Sequence, residues 1–490
     1  MLDYENEDAL GLAARVKRGE TTAEALLEAA LARVDARDGE LGALVVRAED
    51  VARRAIAEGL PRGPFEGVPF LLKDLHLGWP GVRLTNGSSL FARHVSHFES
   101  ELVARYRRAG LVLFGRTHSP EFGLTTTTES RLHGATRNPW DPSRTAGGSS
   151  GGAAVAVAAG YTPIANAGDG GGSIRIPASC CGLFGLKPTR GRTPAGPDAG
   201  EGWSGMTTLH AITRSVRDSA ALLDATSGPD PGAPYAAQPP ARPFLDEVGA
   251  PPGRLRIALQ RRTWNGVETH PDCEEAVEAA AALCRSLGHE VEEAPFTVDA
   301  AAMREATLVI MSVSTRLALD ARAAALGRTL APEDVEPATR AILGYGAKRG
   351  AVDHARAVQT LHATGRALAR HLMDFDLVLS PTMATPPLPI GRLSLSNPDV
   401  EEQGRSVLAT IGFTQLANVA GNPAMSVPLV WSASGLPIGV QFVGRMDDEA
   451  TLFRLAGQLE QARPWGARRP VLAPAAPGGG RDPARLRSPS

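Results

Sequence analysis

The sequence has little of several features that define whole classes of protein. Of its 490 residues only 4 are cysteine, and aromatic residues make up 5%. Cys180 and Cys181 are adjacent, which disfavours a relaxed disulfide between them, and the cysteines at 180, 181, 273 and 284 show no zinc-like spacing. We therefore expect reduced, buried thiols and no bound metal.

Long apolar runs and an excess of charge of one sign are also missing. No run approaches the length of a membrane-spanning helix, and residues 1–7 are acidic where a secretory signal is basic. The 51 Lys and Arg residues nearly balance the 53 Asp and Glu residues, so no basic field is available for nucleic acid or lipid. We expect a cytoplasmic protein that binds a small neutral molecule, without a nucleic-acid or membrane partner.

What the sequence does have is enough apolar content, 43%, for a large core. Thr21 and Glu24 form a candidate capping box at the start of a helix, and residues 49–58 predict another helix. Short apolar runs at 68–72 and 111–115 predict buried strands between such helices. The alternation of the two predicts an α/β fold.

Turn-rich stretches divide the chain into segments. Residues 227–243 form such a break, and strand-like apolar residues return at 377–379 and 439–443, which indicates one α/β unit with an elaboration. The predicted division is an N-terminal helical segment at 1–60, a catalytic core at 61–228, a linker and mostly helical elaboration at 229–370, a return to the core sheet at 371–466, and a disordered tail at 467–490.

The chemistry-bearing part of the sequence is a pair of glycine–serine clusters and one lysine. The clusters are GGSSGG at 147–152 and GGGSIR at 170–175, and Lys73 follows an apolar run that ends at Leu72. A serine hydroxyl becomes a good nucleophile when a base takes its proton, and a lysine can be that base only when it is neutral. We therefore expect an acyl-transfer hydrolase.

The lysine and the glycines have separate requirements. An exposed lysine has a pKa of about 10.4, so lowering it to about 7 by burial takes roughly 4 to 5 kcal/mol against the ammonium form. Asp74 would oppose this shift if it faced inward, so we expect it to turn away or to bind backbone amides. The successive amides of Gly170, Gly171 and Gly172 predict an oxyanion hole beside Ser173.

Taken together, these elements resemble the amidase signature family. The resemblance rests on Lys73, the cluster at 147–152, the stretch 169–177 and the spacing of the two clusters, and it extends over roughly 44–465. It implies a mixed central sheet covered by helices on both faces in a single large domain. It also implies that no cofactor is needed, and it suggests a homodimer.

Carried over at the matching positions, the resemblance implies three catalytic roles. Ser173 would be the nucleophile, Lys73 the ultimate base, and Ser149 a proton relay within hydrogen-bond reach of both. The relay serine in this family follows a cis peptide, here Gly148–Ser149. The family often has threonine or isoleucine before the oxyanion glycines, whereas this chain has Gly170, which leaves the chemistry intact.

Further residues receive supporting roles from the same resemblance. Ser150 would support the relay loop, and Asp169 and Arg175 would fix the nucleophile loop by hydrogen bonds. The runs 67–74 and 138–141 look most similar to amidases of apolar amides, including 6-aminohexanoate cyclic-dimer hydrolases, although such motifs do not define a pocket. The implied reaction is hydrolysis of a linear or cyclic amide to an acid and an amine or ammonia.

Other functions stay open at this point. An esterase or carbamate hydrolase would use the same three residues, and a glutamine-dependent amidotransferase subunit would need a charged clamp that the sequence does not display. Residues 147–151 also match the G-x-S-x-G elbow of α/β-hydrolases, but residues 138–144 before them have loop character rather than strand character. Neither cluster continues into the Gly-Lys-Ser/Thr of a phosphate loop. His76 is expected to be a structural or surface residue.

Overall fold

Amphipathic helices alternate with short apolar strands along the chain. In the computed structural model, which describes residues 4–472, the helices are α1 (Ala9–Lys17), α2 (Ala23–Leu41), α3 (Glu49–Glu58), α4 (Glu101–Arg108), α5 (Gly151–Ala158), α6 (Arg175–Cys181), α7 (Val216–Thr226), α8 (Pro271–Ser286), α9 (Ala300–Ala325), α10 (Pro337–Gly346), α11 (Ala351–Asp374), α12 (Val400–Ile411), α13 (Gln415–Ala420) and α14 (Glu449–Ala462).

The strands are β1 (Leu44–Arg47), β2 (Pro69–Lys73), β3 (Val112–Thr117), β4 (Glu129–Ser130), β5 (Gly134–Ala135), β6 (Arg137–Asn138), β7 (Asp141–Thr145), β8 (Ile164–Asp169), β9 (Phe184–Lys187), β10 (Thr208–Thr213), β11 (Arg256–Leu259), β12 (Glu290–Glu293), β13 (Leu377–Pro381), β14 (Ala424–Trp431) and β15 (Pro437–Gly444). Eleven of them form one sheet in the order β1-β3-β2-β8-β10-β9-β14-β15-β13-β11-β12. Strand β2 runs parallel to β3 and β8, and β11 runs parallel to β12 and β13. The remaining neighbours in this sheet are antiparallel, so the sheet is mixed.

Side chains of β15 point alternately to the two faces of the sheet, and helices cover both faces. Val440 and Phe442 pack in an apolar cluster with residues of α8 and α14. Val443 packs on the opposite face with residues of α11 and α13. The predicted α/β fold, with a mixed sheet between helical layers, is confirmed.

Some element boundaries differ from the sequence-based prediction. Helix α2 is capped by Thr22, whose hydroxyl accepts the amide of Ala25, so the predicted cap at Thr21 was wrong by one residue. Helix α3 spans Glu49–Glu58 as predicted. Residues 229–370 contain the helices α8 to α10 and most of α11, and they also add β11 and β12 to the edge of the central sheet.

The residues before the first glycine–serine cluster form a hairpin, so their prediction as a loop was wrong. Strands β6 and β7 pair antiparallel in a separate two-stranded sheet. Strand β7 contains Pro142 and is largely exposed, so it lacks the apolar alternation that marks a half-buried strand. Because β7 lies outside the central sheet, the cluster still lacks the central strand from which a nucleophile elbow rises.

Three other expectations concern the chain as a whole. All four cysteines are free and buried, as predicted. Within residues 4–472, every helix is too short or too polar to cross a membrane. Most of the predicted disordered tail, residues 473–490, lies outside the described residues.

Candidate active site

Two parallel neighbours in the sheet bring the lysine and the second glycine–serine cluster together. Strand β2 ends at Lys73 and β8 ends at Asp169, and the two strands pair through Leu71 and Ala165. Parallel strands end at the same edge of a sheet, where ligands bind in many α/β proteins. Lys73 and the loop that carries Ser173 therefore project from one edge.

The first cluster completes the group from the N-terminus of α5, which begins at Gly151. Lys73 Nζ donates a hydrogen bond to Ser149 Oγ at 2.7 Å. The Gly148–Ser149 peptide is cis, as the resemblance implied. Lys73 and Ser149 are each 2% exposed and Ser173 is 8% exposed, so Ser173 is the most accessible of the three in a recessed site.

Burial sets the charge of Lys73. Removal from water lowers the pKa of Lys73 to about 7, while the nearby Asp169 carboxylate opposes the shift. The Asp74 carboxylate accepts the Thr85 amide at 2.8 Å, so Asp74 binds a backbone amide as expected. Near neutral pH a large fraction of Lys73 is therefore an amine that can accept a proton from Ser149.

The predicted contact between Ser149 and Ser173 is not formed. Among the described residues, no hydrogen bond joins the hydroxyl of Ser149 to that of Ser173, so Ser149 meets the expectation on the Lys73 side only. Gly123 also lies close to Ser149, since a Cβ at Gly123 would lie 3.0 Å from Ser149 Oγ. Ser149 thus contacts Lys73 and has little free space on the side of Gly123.

A buried carboxylate shapes the loop at 170–173 that carries Ser173. Asp169 accepts the Gly172 amide at 2.7 Å and the Ile174 amide at 3.1 Å. It also forms an ion pair with Arg175 at 2.9 Å, with both side chains fully buried. Burial raises the pKa of Asp169, but Arg175 outweighs this and holds it below its ordinary value. These are the contacts expected of residues that fix a loop.

The hydrogen bond from Gly172 bears on the oxyanion prediction. An amide that points to Asp169 is not directed at a substrate oxygen, which argues against an oxyanion role for Gly172 and leaves the amides of Gly170, Gly171 and Ser173 as the candidate donors. Backbone conformation and packing, rather than an oxyanion role, explain why a glycine stands at position 172. Its φ is +135°, and a Cβ there would lie 2.4 Å from the Oγ1 of a threonine on the segment before α13.

Residues in and beside α13 complete the surroundings of the loop, and the sequence did not point to them. Thr414 Oγ1 donates to the Gly171 carbonyl at 2.7 Å, although 243 residues separate the two in sequence. Asn418 Nδ2 donates to Asp169 Oδ1 at 2.9 Å, and Asn418 Oδ1 accepts Arg175 Nη2 at 2.6 Å. The ion pair at the loop is therefore held by a buried amide from a distant part of the chain.

The first cluster is also tightly packed. Ser150 Oγ donates to the Gly168 carbonyl at 3.2 Å, which links this cluster to β8. A Cβ at Gly148 would lie 2.2 Å from the Thr127 carbonyl oxygen, so any larger residue would displace the backbone. Main-chain packing therefore fixes where Ser149 lies.

A cavity of about 830 Å³ lies elsewhere, between α11 and the ends of α13 and β15. Two of the three arginines that line it are occupied: Arg445 pairs with Asp376 at 3.1 Å, and Arg190 Nε donates to the Gly205 carbonyl at 2.6 Å. It contains none of the candidate catalytic residues, so we place the active site at the strand ends. In the described part of the chain, no group of three or more His, Cys, Asp or Glu side chains is arranged to hold a metal ion.

Known proteins are similar to this chain along almost its whole length. The Amidase family model matches residues 25–453. The chain belongs to the amidase family. It is 37% identical over 480 residues to a 6-aminohexanoate-cyclic-dimer hydrolase of Pseudomonas sp. (strain NK87), and the match covers 95% of this chain and 97% of that protein.

Solved amidase structures share its fold. The structure of a 6-aminohexanoate cyclic dimer hydrolase complexed with substrate matches with a TM-score of 0.90 and 36% identity, over 96% of this chain and 99% of that one. A bacterial aryl acylamidase of the amidase signature family matches with a TM-score of 0.85 and 26% identity, over 96% and 100% of the two chains. The protein is therefore an amidase, a hydrolase of C–N amide bonds with a small-molecule amide as its substrate.

Proposed function

We propose that this amidase cleaves uncharged carboxylic amides through an acyl-enzyme on Ser173, with Ser149 as proton relay and Lys73 as base. The observation that carries the proposal is the 2.7 Å hydrogen bond between Lys73 Nζ and Ser149 Oγ. A lysine whose pKa is lowered by burial to about 7, and whose amine contacts a serine hydroxyl, suits the role of a general base.

Acylation transfers one proton in each direction along the relay. Ser173 Oγ attacks the carbonyl carbon while its proton passes to Ser149, and Ser149 gives its own proton to Lys73 Nζ. Negative charge develops on the carbonyl oxygen, where the amides of Gly170, Gly171 and Ser173 are the proposed donors. The C–N bond then breaks, and the lysine proton returns through Ser149 to the leaving nitrogen.

Deacylation repeats the sequence with water. Lys73 and Ser149 take a proton from a water molecule as it attacks the Ser173 ester. The ester C–O bond breaks, the relayed proton returns to Ser173 Oγ, and the acid product leaves. The cycle consumes one water and restores all three side chains, so no cofactor is required.

The resting arrangement places one requirement on this mechanism. Ser149 Oγ is held by Lys73, whereas Ser173 makes no hydrogen bond to Ser149 among the described residues. A rotation of the Ser173 side chain toward Ser149 would complete the relay once substrate is bound. Catalytic hydrogen bonds are often long in enzymes without substrate and tighten in the complex, which is consistent with this requirement.

For the substrate, we propose an uncharged amide with a hydrocarbon chain or ring. Two of the similar proteins are 6-aminohexanoate cyclic dimer hydrolases, and that dimer, a ring with two amide bonds and no charged ends, is the first compound to assay. An ester or carbamate of matched shape would use the same three residues and is the second candidate. Ammonia release from glutamine without a partner chain would instead favour the amidotransferase alternative.

A substrate panel tests the proposal. The cyclic dimer, a linear aliphatic amide, an aryl amide, and a matched ester and carbamate are incubated with the wild-type enzyme and with Ser173→Ala, and the products are identified by mass. We expect acid and amine in equal amounts from the amides, and a loss of at least about 10³-fold in Ser173→Ala. Turnover of the ester alone, or wild-type rates in Ser173→Ala, would contradict the proposal.

A further inference from the structure

An indole ring covers the start of the nucleophile loop. A Cβ at Gly170 would lie 2.8 Å from Trp203 Cζ3 and 3.0 Å from Thr207 Cγ2, closer than a methyl group can approach without a shift. The tryptophan ring occupies the volume that a side chain at position 170 would need, so Gly170 and Trp203 form a complementary pair.

The backbone holds the tryptophan in place. Trp203 and Ser204 have φ angles of +51° and +52°, a left-handed conformation that is uncommon for residues with side chains. Such residues cluster at functional sites when the surrounding structure enforces them. Asn418 Nδ2 donates to the Asp169 carbonyl at 3.0 Å and to the Met206 carbonyl at 3.1 Å. The Asn418 side-chain amide therefore links the turn at 203–206 to the end of β8, which leads into the loop at 170–173.

The rest of the ring faces apolar surroundings. Trp203 is partly buried and packs against two apolar clusters, one containing Phe122 and the other containing Met206. Phe122 is followed by Gly123, which lies beside the relay residue Ser149. Trp203 thus lies against the start of the loop at 170–173 and against apolar side chains.

We infer that Trp203 is the specificity-determining wall of the substrate pocket. The hydrocarbon part of the amide lies on the indole while the carbonyl group meets the loop at 170–173. This inference rests on the proposed function, because it needs Ser173 to be the attacking residue. It deepens that function by favouring amides with several methylenes beside the scissile bond over short amides.

Two series of amides of increasing chain length measure how much contact with Trp203 contributes to kcat/KM. Butanamide, hexanamide and octanamide vary the acyl side, and N-butyl-, N-hexyl- and N-octylacetamide vary the amine side. In the wild type, kcat/KM should rise by about fourfold per methylene that lies on the ring, in at least one series. Trp203→Ala should reduce this to less than about twofold per methylene, so that the loss in kcat/KM grows with chain length and is smallest for the shortest amide of the series.

Matched variants separate a pocket wall from a general loss of packing. Trp431→Ala removes the same side chain where it contacts Trp140, with ring centroids 5.9 Å apart, and it should leave both series unchanged. Trp203→Leu keeps an apolar but smaller surface and should give an intermediate dependence. It replaces the alanine variant if circular dichroism shows that Trp203→Ala is unfolded.

The glycine tests the same contact from the other side. When Trp203 is present, Gly170→Ala should lower kcat/KM for the long amides, because the added methyl displaces the indole. In a Trp203→Ala or Trp203→Leu background the same change should have a smaller effect, because the clash is relieved.

Two results would overturn the inference. One is an equal chain-length dependence in the wild type and the Trp203 variants in both series. The other is an equal effect of Gly170→Ala in both backgrounds. Failure of the proposed function would look different, because Ser173→Ala would then keep its activity on the shortest amide whatever the Trp203 variants show.

Discussion

Lys73 and Lys187 offer a matched test of the proposed base, because burial lowers the pKa of both lysines to about 7. Only one of them contacts a serine: Lys73 Nζ bonds to Ser149, whereas Lys187 Nζ donates to the Pro188 carbonyl at 2.7 Å. We expect kcat/KM to rise through an apparent pKa near 7 as Lys73 loses its proton. Lys187→Met should keep this rise, and Lys73→Met should lose it.

The magnitude follows from the fraction of Lys73 that is neutral. With a pKa of about 7, about half is neutral at pH 7 and about a tenth at pH 6, so kcat/KM should fall about fivefold over that interval. At the ordinary pKa of 10.5, only about 1 in 3,000 lysines would be neutral at pH 7. The shift is equivalent to roughly 5 kcal/mol in favour of the neutral base.

Initial rates between pH 5 and 9 on an amide with no titrating group provide the assay, with circular dichroism at each pH as a check on folding. Lys73→Arg is a further control, since a guanidinium keeps the positive charge but cannot act as a base in this range. A rise with pH that survives in Lys73→Met, or one that disappears in Lys187→Met, would refute the assignment of Lys73.

Two further predictions concern the nucleophile loop. Arg175→Met should lower the free energy of unfolding by about 3 to 5 kcal/mol, because it leaves the fully buried Asp169 carboxylate without its ion-pair partner. Arg316→Met, at an exposed ion pair, is the control and should change this free energy by less than about 1 kcal/mol. Thermal unfolding measures both variants. Gly171→Ala should keep most of the activity because nothing lies within 4 Å of the added Cβ, while Gly172→Ala should lose at least about tenfold in kcat/KM through its clash with Thr414. Equal losses within either pair would contradict these expectations.

Much of the fold and the central residues of the site could be predicted from local patterns. Strand β2 is an uninterrupted apolar run that delivers Lys73 to a strand end, and α3 has the bounds that its periodicity indicates. The two glycine–serine clusters stand out in the sequence because their composition suits loops with exposed amides. The structure places Lys73 beside Ser149, and Ser173 follows the end of a neighbouring parallel strand.

The residues that sequence reasoning missed act through distant contacts. Asn418 lies 249 residues after Asp169, and an asparagine in a short helix has no pattern that shows which loop it binds. The contact of Trp203 with Gly170 depends likewise on a positive-φ turn that the sequence does not mark. Composition likewise shows that the Gly172 amide is available, but not that it points to Asp169.

Covalent labelling by a fluorophosphonate tests the role of Ser173 most directly. The reagent is applied to the wild type, Ser173→Ala and Ser149→Ala, and the modified peptide is identified by mass spectrometry. We expect one adduct, on Ser173, that forms in the wild type, forms more slowly in Ser149→Ala and is absent from Ser173→Ala. An adduct on Ser149 with Ser173 unmodified would contradict the mechanism and would make Ser149 the nucleophile.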